Sequence, residues 1–143
     1  MMFQFTSTIG NCSIFCDKTR LSLNQISIYF EYEITGIAIS KNKVFVLYNK
    51  DGGAFEDMPR NNIVAYDFNG KCLWNIEDIT QEDWPYLSIR VCDEHTVKKE
   101  LLTESLSVIR GHEYLVCYTY GTLRFILDIT EEKVAQRISA RFN

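Results

Sequence analysis

Apolar positions in this chain gather into short runs rich in β-branched and aromatic residues, separated by polar pairs. Ile34 to Ser40 is such a run and stops at the turn-like pair Lys41-Asn42. Lys43 to Tyr48 follows as a strand apolar on both faces, the mark of burial on both sides. A loop from Asn49 to Asn61 carries Asp51-Gly52-Gly53 and Met58-Pro59. Asn62 to Asp67 returns as a strand, Asn69-Gly70 is a hairpin turn because both residues tolerate positive φ, and Lys71 to Ile76 closes a fourth strand. The same rhythm recurs near the C-terminus: Ser105 to Arg110, Tyr114 to Tyr120, Leu123 to Asp128 and Lys133 to Ile138 read as strands joined by short turns. Tyr86 to Cys92 is one more strand between the two groups, and Val97 to Glu104 has room for a helical turn or two. Nearer the start, Cys12 to Cys16 looks strand-like. Ile26 to Glu33 does too, alternating Ile26, Ile28, Phe30 and Tyr32 with Ser27, Tyr29, Glu31 and Glu33.

The expectation is a mainly β protein with little helix: two four-stranded antiparallel meanders packed as a sandwich or open barrel. One domain covers residues 1–143, with N-terminal strands in 1–33, a first meander in 34–76 and a second in 105–140. Composition strengthens the β reading, because aromatics reach 13% and favour half-buried pleated surface. A chain of 143 residues buries enough surface to hold a core without staples. The five cysteines form no even framework, the first residues lack the pattern of a signal peptide, and no run approaches the about 20 apolar residues that span a bilayer. A cytoplasmic setting without membrane contact is the default expectation.

The stretch Ala65-Tyr66-Asp67-Phe68-Asn69-Gly70-Lys71-Cys72-Leu73-Trp74 resembles the blade motif of quinoprotein-type β-propellers. That motif runs Ala-x-Asp, a Thr-Gly-Lys turn, then Trp three residues after the Lys; Ala65, Asp67, Gly70, Lys71 and Trp74 match, with a shorter turn and no Thr. A second copy at Asp128 to Gln136 keeps the Asp-to-Lys spacing, with Glu132 in place of Gly and Gln136 in place of Trp. Gly111-His112 ahead of a strand is similar to WD-type blades. The resemblance implies hairpins shaped by Asp and Gly and a Trp packed between neighbouring blades, and it names no ligand. Since propellers close with about four to eight blades, two copies imply a compact arrangement within one chain and not a complete ring.

Net charge is −4, and no basic cluster exceeds Lys98-Lys99, which argues against a nucleic-acid partner. Cys12 and Cys16, with His95 and His112, lack the paired spacing of a zinc site, so two partly buried free thiols and two turn histidines are the simpler account. No nucleophile elbow, phosphate loop or calcium loop is present, and the protein is expected to be neither an enzyme nor a cofactor carrier. What points outward is acid beside aromatic. Glu77 to Asp83 carries four negative charges and no positive one, while Glu56 and Asp57 add two more beside Phe55, and Trp84 borders the acidic loop.

Small acidic domains of this kind are similar in class to bacterial immunity proteins, which implies a basic, nuclease-like toxin as partner. On this reading Glu77, Asp78, Glu82 and Asp83 mimic phosphate, Glu56 and Asp57 add to the partner-binding face, and Trp84 or Phe55 anchors. An orphan structural domain or a subunit of a larger β assembly is the alternative, and a small-molecule binder or enzyme the third.

Overall fold

The computed structural model describes residues 3–50, 55–100, 108–121 and 123–139. It is built from three consecutive four-stranded antiparallel meanders. The first sheet comprises β1 (Gln4–Ile9), β2 (Cys12–Asp17), β3 (Arg20–Leu23) and β4 (Ile26–Tyr29). The second comprises β5 (Glu33–Ile39), β6 (Lys43–Asn49), β7 (Ile63–Asp67) and β8 (Cys72–Asn75). The third comprises β9 (Tyr86–Cys92), β10 (Tyr114–Thr119), β11 (Leu123–Asp128) and β12 (Lys133–Ser139). In each sheet every strand pairs with its sequence neighbour.

The sheets stack face to face with the second in the middle, and period-2 alternation divides its side chains between two cores. Val44, Val46 and Tyr66 meet Cys12, Ile14, Cys16, Leu21 and Leu23 of the first sheet. Phe45, Leu47, Ile63, Ala65 and Trp74 meet Tyr86, Leu115, Cys117 and Phe125 of the third. This is why Lys43 to Tyr48 is apolar on both faces. The third sheet needs a second cover as well, because Tyr114, Val116 and Ile126 point away from the second; Val97 and Val108 supply it. Glu100 ties that cover down: it pairs with Arg90, and with Arg124 at 3.0 Å, and accepts from the Tyr118 hydroxyl at 2.8 Å.

Four expectations need correction. The N-terminal strands form a complete meander, because Ile26 to Glu33 is broken at Phe30, giving β4 and the start of β5. The C-terminal meander takes Tyr86–Cys92 as its first strand, in register with β10. Val108, Ile109 and Arg110 have no strand pairing, while Ser105, Leu106 and Ser107 lie outside the described residues. Of the proposed helical turns at Val97 to Glu104, Val97–Glu100 is a short 3-10 turn and the remainder also lies outside them.

At position 70 both backbone and space demand glycine. At the β7–β8 hairpin Gly70 has φ +85, and an added Cβ would lie 2.9 Å from Ile26 Cγ2, so the first sheet is seated directly on this backbone. Asp67 Oδ1 holds the same turn by accepting from the N–H groups of Asn69 and Lys71, each at 2.9 Å.

Candidate functional site

The meanders place turns at two opposite ends of the stack. The β1–β2, β5–β6 and β7–β8 turns share one end, where Gly10, Lys41 and Asn69 line a common cleft. The β6–β7 and β8–β9 connections gather at the other end, and the acidic segment lies there.

The acidic segment is not a loop throughout. Ile76–Thr80 forms α1, with Asn75 as N-cap. The Asn75 side chain accepts from the Glu77 N–H at 3.0 Å, while Asp78 Oδ2 accepts from the Asn75 N–H at 2.9 Å, a reciprocal capping box. Two acids in the first turn also suit the positive end of the helix. Ile76 and Thr80 are buried, and Gln81 ends the turn in the left-handed region at φ 59. The strand expected to reach Ile76 therefore stops at Asn75, where capping wins over pairing. The signal was legible as Asn75 followed three residues later by Asp78.

The acids then acquire specific partners. Asn61 donates its amide to Glu77 Oε2 at 2.8 Å and to Asp83 Oδ1 at 2.7 Å. Its own N–H donates to the Trp84 carbonyl at 2.8 Å. Arg60 donates to the Asp83 carbonyl at 3.1 Å. Residues 60–61 are thereby clamped to 77–84. Glu56 and Asp57, exposed in the 3-10 turn Phe55–Asp57, belong to the same end. The side chain of Phe55 lies outside the described residues. Trp84 is half-buried: its ring packs against the core between the second and third sheets, and its indole N–H donates to Glu82 Oε1 at 3.0 Å. Glu82 also receives a two-pronged contact from Arg137, Nε to Oε2 at 2.8 Å and Nη2 to Oε1 at 3.0 Å. Asn61, Arg60 and Arg137 were not legible as site residues, because each joins segments distant in sequence.

The Arg137 contact holds the Glu82 carboxyl below its ordinary value of 4.5, with help from the Trp84 indole. A depressed carboxyl stabilises the fold above its ordinary value, and that contribution disappears as pH falls through the lowered folded value. The pair is partly open to water, with side chains 31% and 45% exposed, so screening limits it to less than about 1 kcal/mol. Arg137→Gln is therefore expected to lower the urea midpoint slightly at neutral pH, and the difference should vanish as pH falls through the lowered Glu82 value. Midpoints that stay apart in acid would trace the effect to the packing of Arg137 over the Phe125 ring, 5.7 Å from its centroid.

The cysteines and histidines do not assemble. All five cysteines are free; Cys12 and Cys16 are buried on one face of β2, and burial pushes the Cys16 thiol up to about 11. His95 is exposed in a turn held by Asp93, whose Oδ1 accepts from the N–H groups of His95 and Thr96. His112, expected as a surface turn residue, instead points Nδ1 at the buried Asp128 carboxylate, 2.8 Å away. Among the described residues no helix is long and apolar enough to cross a membrane.

Architecture and site together define a class: a stack of three antiparallel meanders with an ordered acidic end. The family profile described as Domain of unknown function (DUF7957) matches residues 12–109, more than half of the chain, and the chain belongs to that family. Neither the comparison with curated proteins nor that with solved structures found a match.

Proposed function

We propose that this protein is an interaction module that binds a basic protein partner at its acidic end. It would act by occlusion, as an immunity protein does toward a nuclease-like toxin. The observation that carries this reading is the convergence of Glu77 and Asp83 on the single amide of Asn61, at 2.8 and 2.7 Å. Two like charges are held close by a neutral donor, so the face is ordered before any partner arrives and loses little freedom on binding. Around it stand Glu56, Asp57, Asp78 and Glu82, with Arg60 and Arg137 as the cations bound to these acids. The surplus of negative charge steers a basic surface toward it and fixes its register. Trp84 serves as a firm apolar shoulder, because its ring is already packed and its N–H already satisfied.

The test is retention of proteins from the source organism on the wild type and on a Glu77→Lys/Asp83→Lys variant, at low and moderate salt. A single basic partner, held more weakly by at least about tenfold on the variant and with a flatter salt dependence, is the expected result. Equal retention on both would remove the acidic end from the account. No retained protein at any salt would sink the inhibitor reading.

A further inference from the structure

We propose a second site at the opposite end of the stack: His112, Asp128 and Glu131 bind one divalent first-row transition-metal ion of the zinc class. Each residue brings a ligand atom within 4.8 Å of the other two. Asp128 is the fixed point. Its side chain is 2% exposed, and its two oxygens divide the work. Oδ1 accepts from the N–H groups of Thr130 and Glu131, each at 3.0 Å, which folds the β11–β12 turn and brings Glu131 back over the carboxylate. Oδ2 is left for His112, whose side chain is 19% exposed.

Two of the donors are already neighbours: His112 Nδ1 and Asp128 Oδ2 are hydrogen-bonded at 2.8 Å. An ion bound at about 2.0–2.2 Å would replace the shared proton and spread the pair by a few tenths of an ångström. Glu131 is 39% exposed, and one of its carboxylate oxygens lies within 4.8 Å of the other two ligand atoms. Lys133 occupies its Oε2 at 2.7 Å and leaves the other oxygen to bind. One imidazole and two carboxylates form a borderline nitrogen and oxygen set, which favours zinc, cobalt or nickel over calcium and magnesium. Beside the cluster, Gly111, Glu113 and Thr130 line a cleft of about 210 Å³ whose far wall carries Lys41 and Lys43. Three protein ligands leave a further coordination position for water.

The experiment is calorimetric titration of the full chain with Zn²⁺, paired with the visible absorption of the Co²⁺ form, for the wild type, Glu131→Gln, His112→Gln and Cys72→Ser. One ion per chain is expected, with a raised melting temperature. Affinity should fall at least tenfold in Glu131→Gln, which alters only an exposed turn side chain, and in His112→Gln, and should not change in Cys72→Ser. No saturable binding to the wild type would overturn the site. Equal affinity in wild type and Glu131→Gln, or loss of binding in Cys72→Ser, would overturn it too, the latter by placing the ion on the exposed thiol.

Discussion

Replacing Asn62 by alanine is expected to lower the unfolding free energy by about 3–5 kcal/mol, measured by urea denaturation. Asn62 is fully buried, yet its carboxamide makes three hydrogen bonds. Nδ2 donates to the carbonyls of Tyr48 at 2.8 Å and Tyr86 at 2.9 Å, while Oδ1 accepts from the Tyr86 N–H at 2.7 Å. Tyr86 begins the third sheet and Tyr48 lies in the second, so one side chain satisfies backbone groups where no ladder joins the sheets. Alanine would strand the Tyr86 N–H in the interior, and each buried orphan costs about 1–3 kcal/mol. Asn49 is the internal control. It donates to the same Tyr86 carbonyl at 3.2 Å, but its Oδ1 has no partner, so Asn49→Ala should cost only about 1 kcal/mol. Equal losses at the two positions would mean that the bridge does not depend on Asn62.

Phe45→Ala should destabilise by a similar amount, about 3–5 kcal/mol. Phe45 lies at the centre of β6 with no exposure, and its ring centroid is 5.6 Å from that of Trp74. The cavity would open between the second and third sheets, where neighbouring strands are hydrogen-bonded on both sides and close-packed interiors relax only in part. Val44, on the opposite face of the same strand, packs toward the first sheet. Val44→Ala removes less volume and should cost about 2 kcal/mol. The two also differ in readout. Phe45→Ala should shift the tryptophan emission, since Trp74 and Trp84 both border its cluster, and Val44→Ala should leave it nearly unchanged. A Val44→Ala loss as large as that of Phe45→Ala would show that the first sheet is held as firmly as the third.

Strands with strong local patterns were readable without the structure. The apolar run at β6, the Asn69-Gly70 turn, and the strands at Tyr114, Leu123 and Lys133 all stand where alternation and turn chemistry put them. Two strands of the first sheet, β1 and β3, escaped detection while β2 and β4 did not, and the reason is physical. β1 and β3 bury one face only and carry Gln4, Thr6, Thr8, Arg20 and Ser22 on the other, so short half-polar segments looked like connection. Of the strand expected over Ser105 to Arg110, the described residues Val108 to Arg110 erred the other way. The alternation suited a strand, but β9 takes the place beside β10, and Val108 is used to cover the third sheet. The acidic run concealed a helix because a single turn leaves no periodicity, only a cap.

The candidate site divides along the same line. Its acids and Trp84 could be named from sequence, but their partners could not. Asn61 and Asn62 are adjacent residues of one type, yet one arbitrates between carboxylates at the surface and the other bridges two sheets in the core. His112 reads as a turn residue until β10 and β11 pair and bring Asp128 beside it. Alternation, turn residues and caps act within a few positions of one another, so the sequence alone determined the strands with strong local signals and the hairpins between them. Which face of a strand is dry, and which polar group finds its partner, depends on segments tens of residues away. Only the stacking of the three sheets decided those.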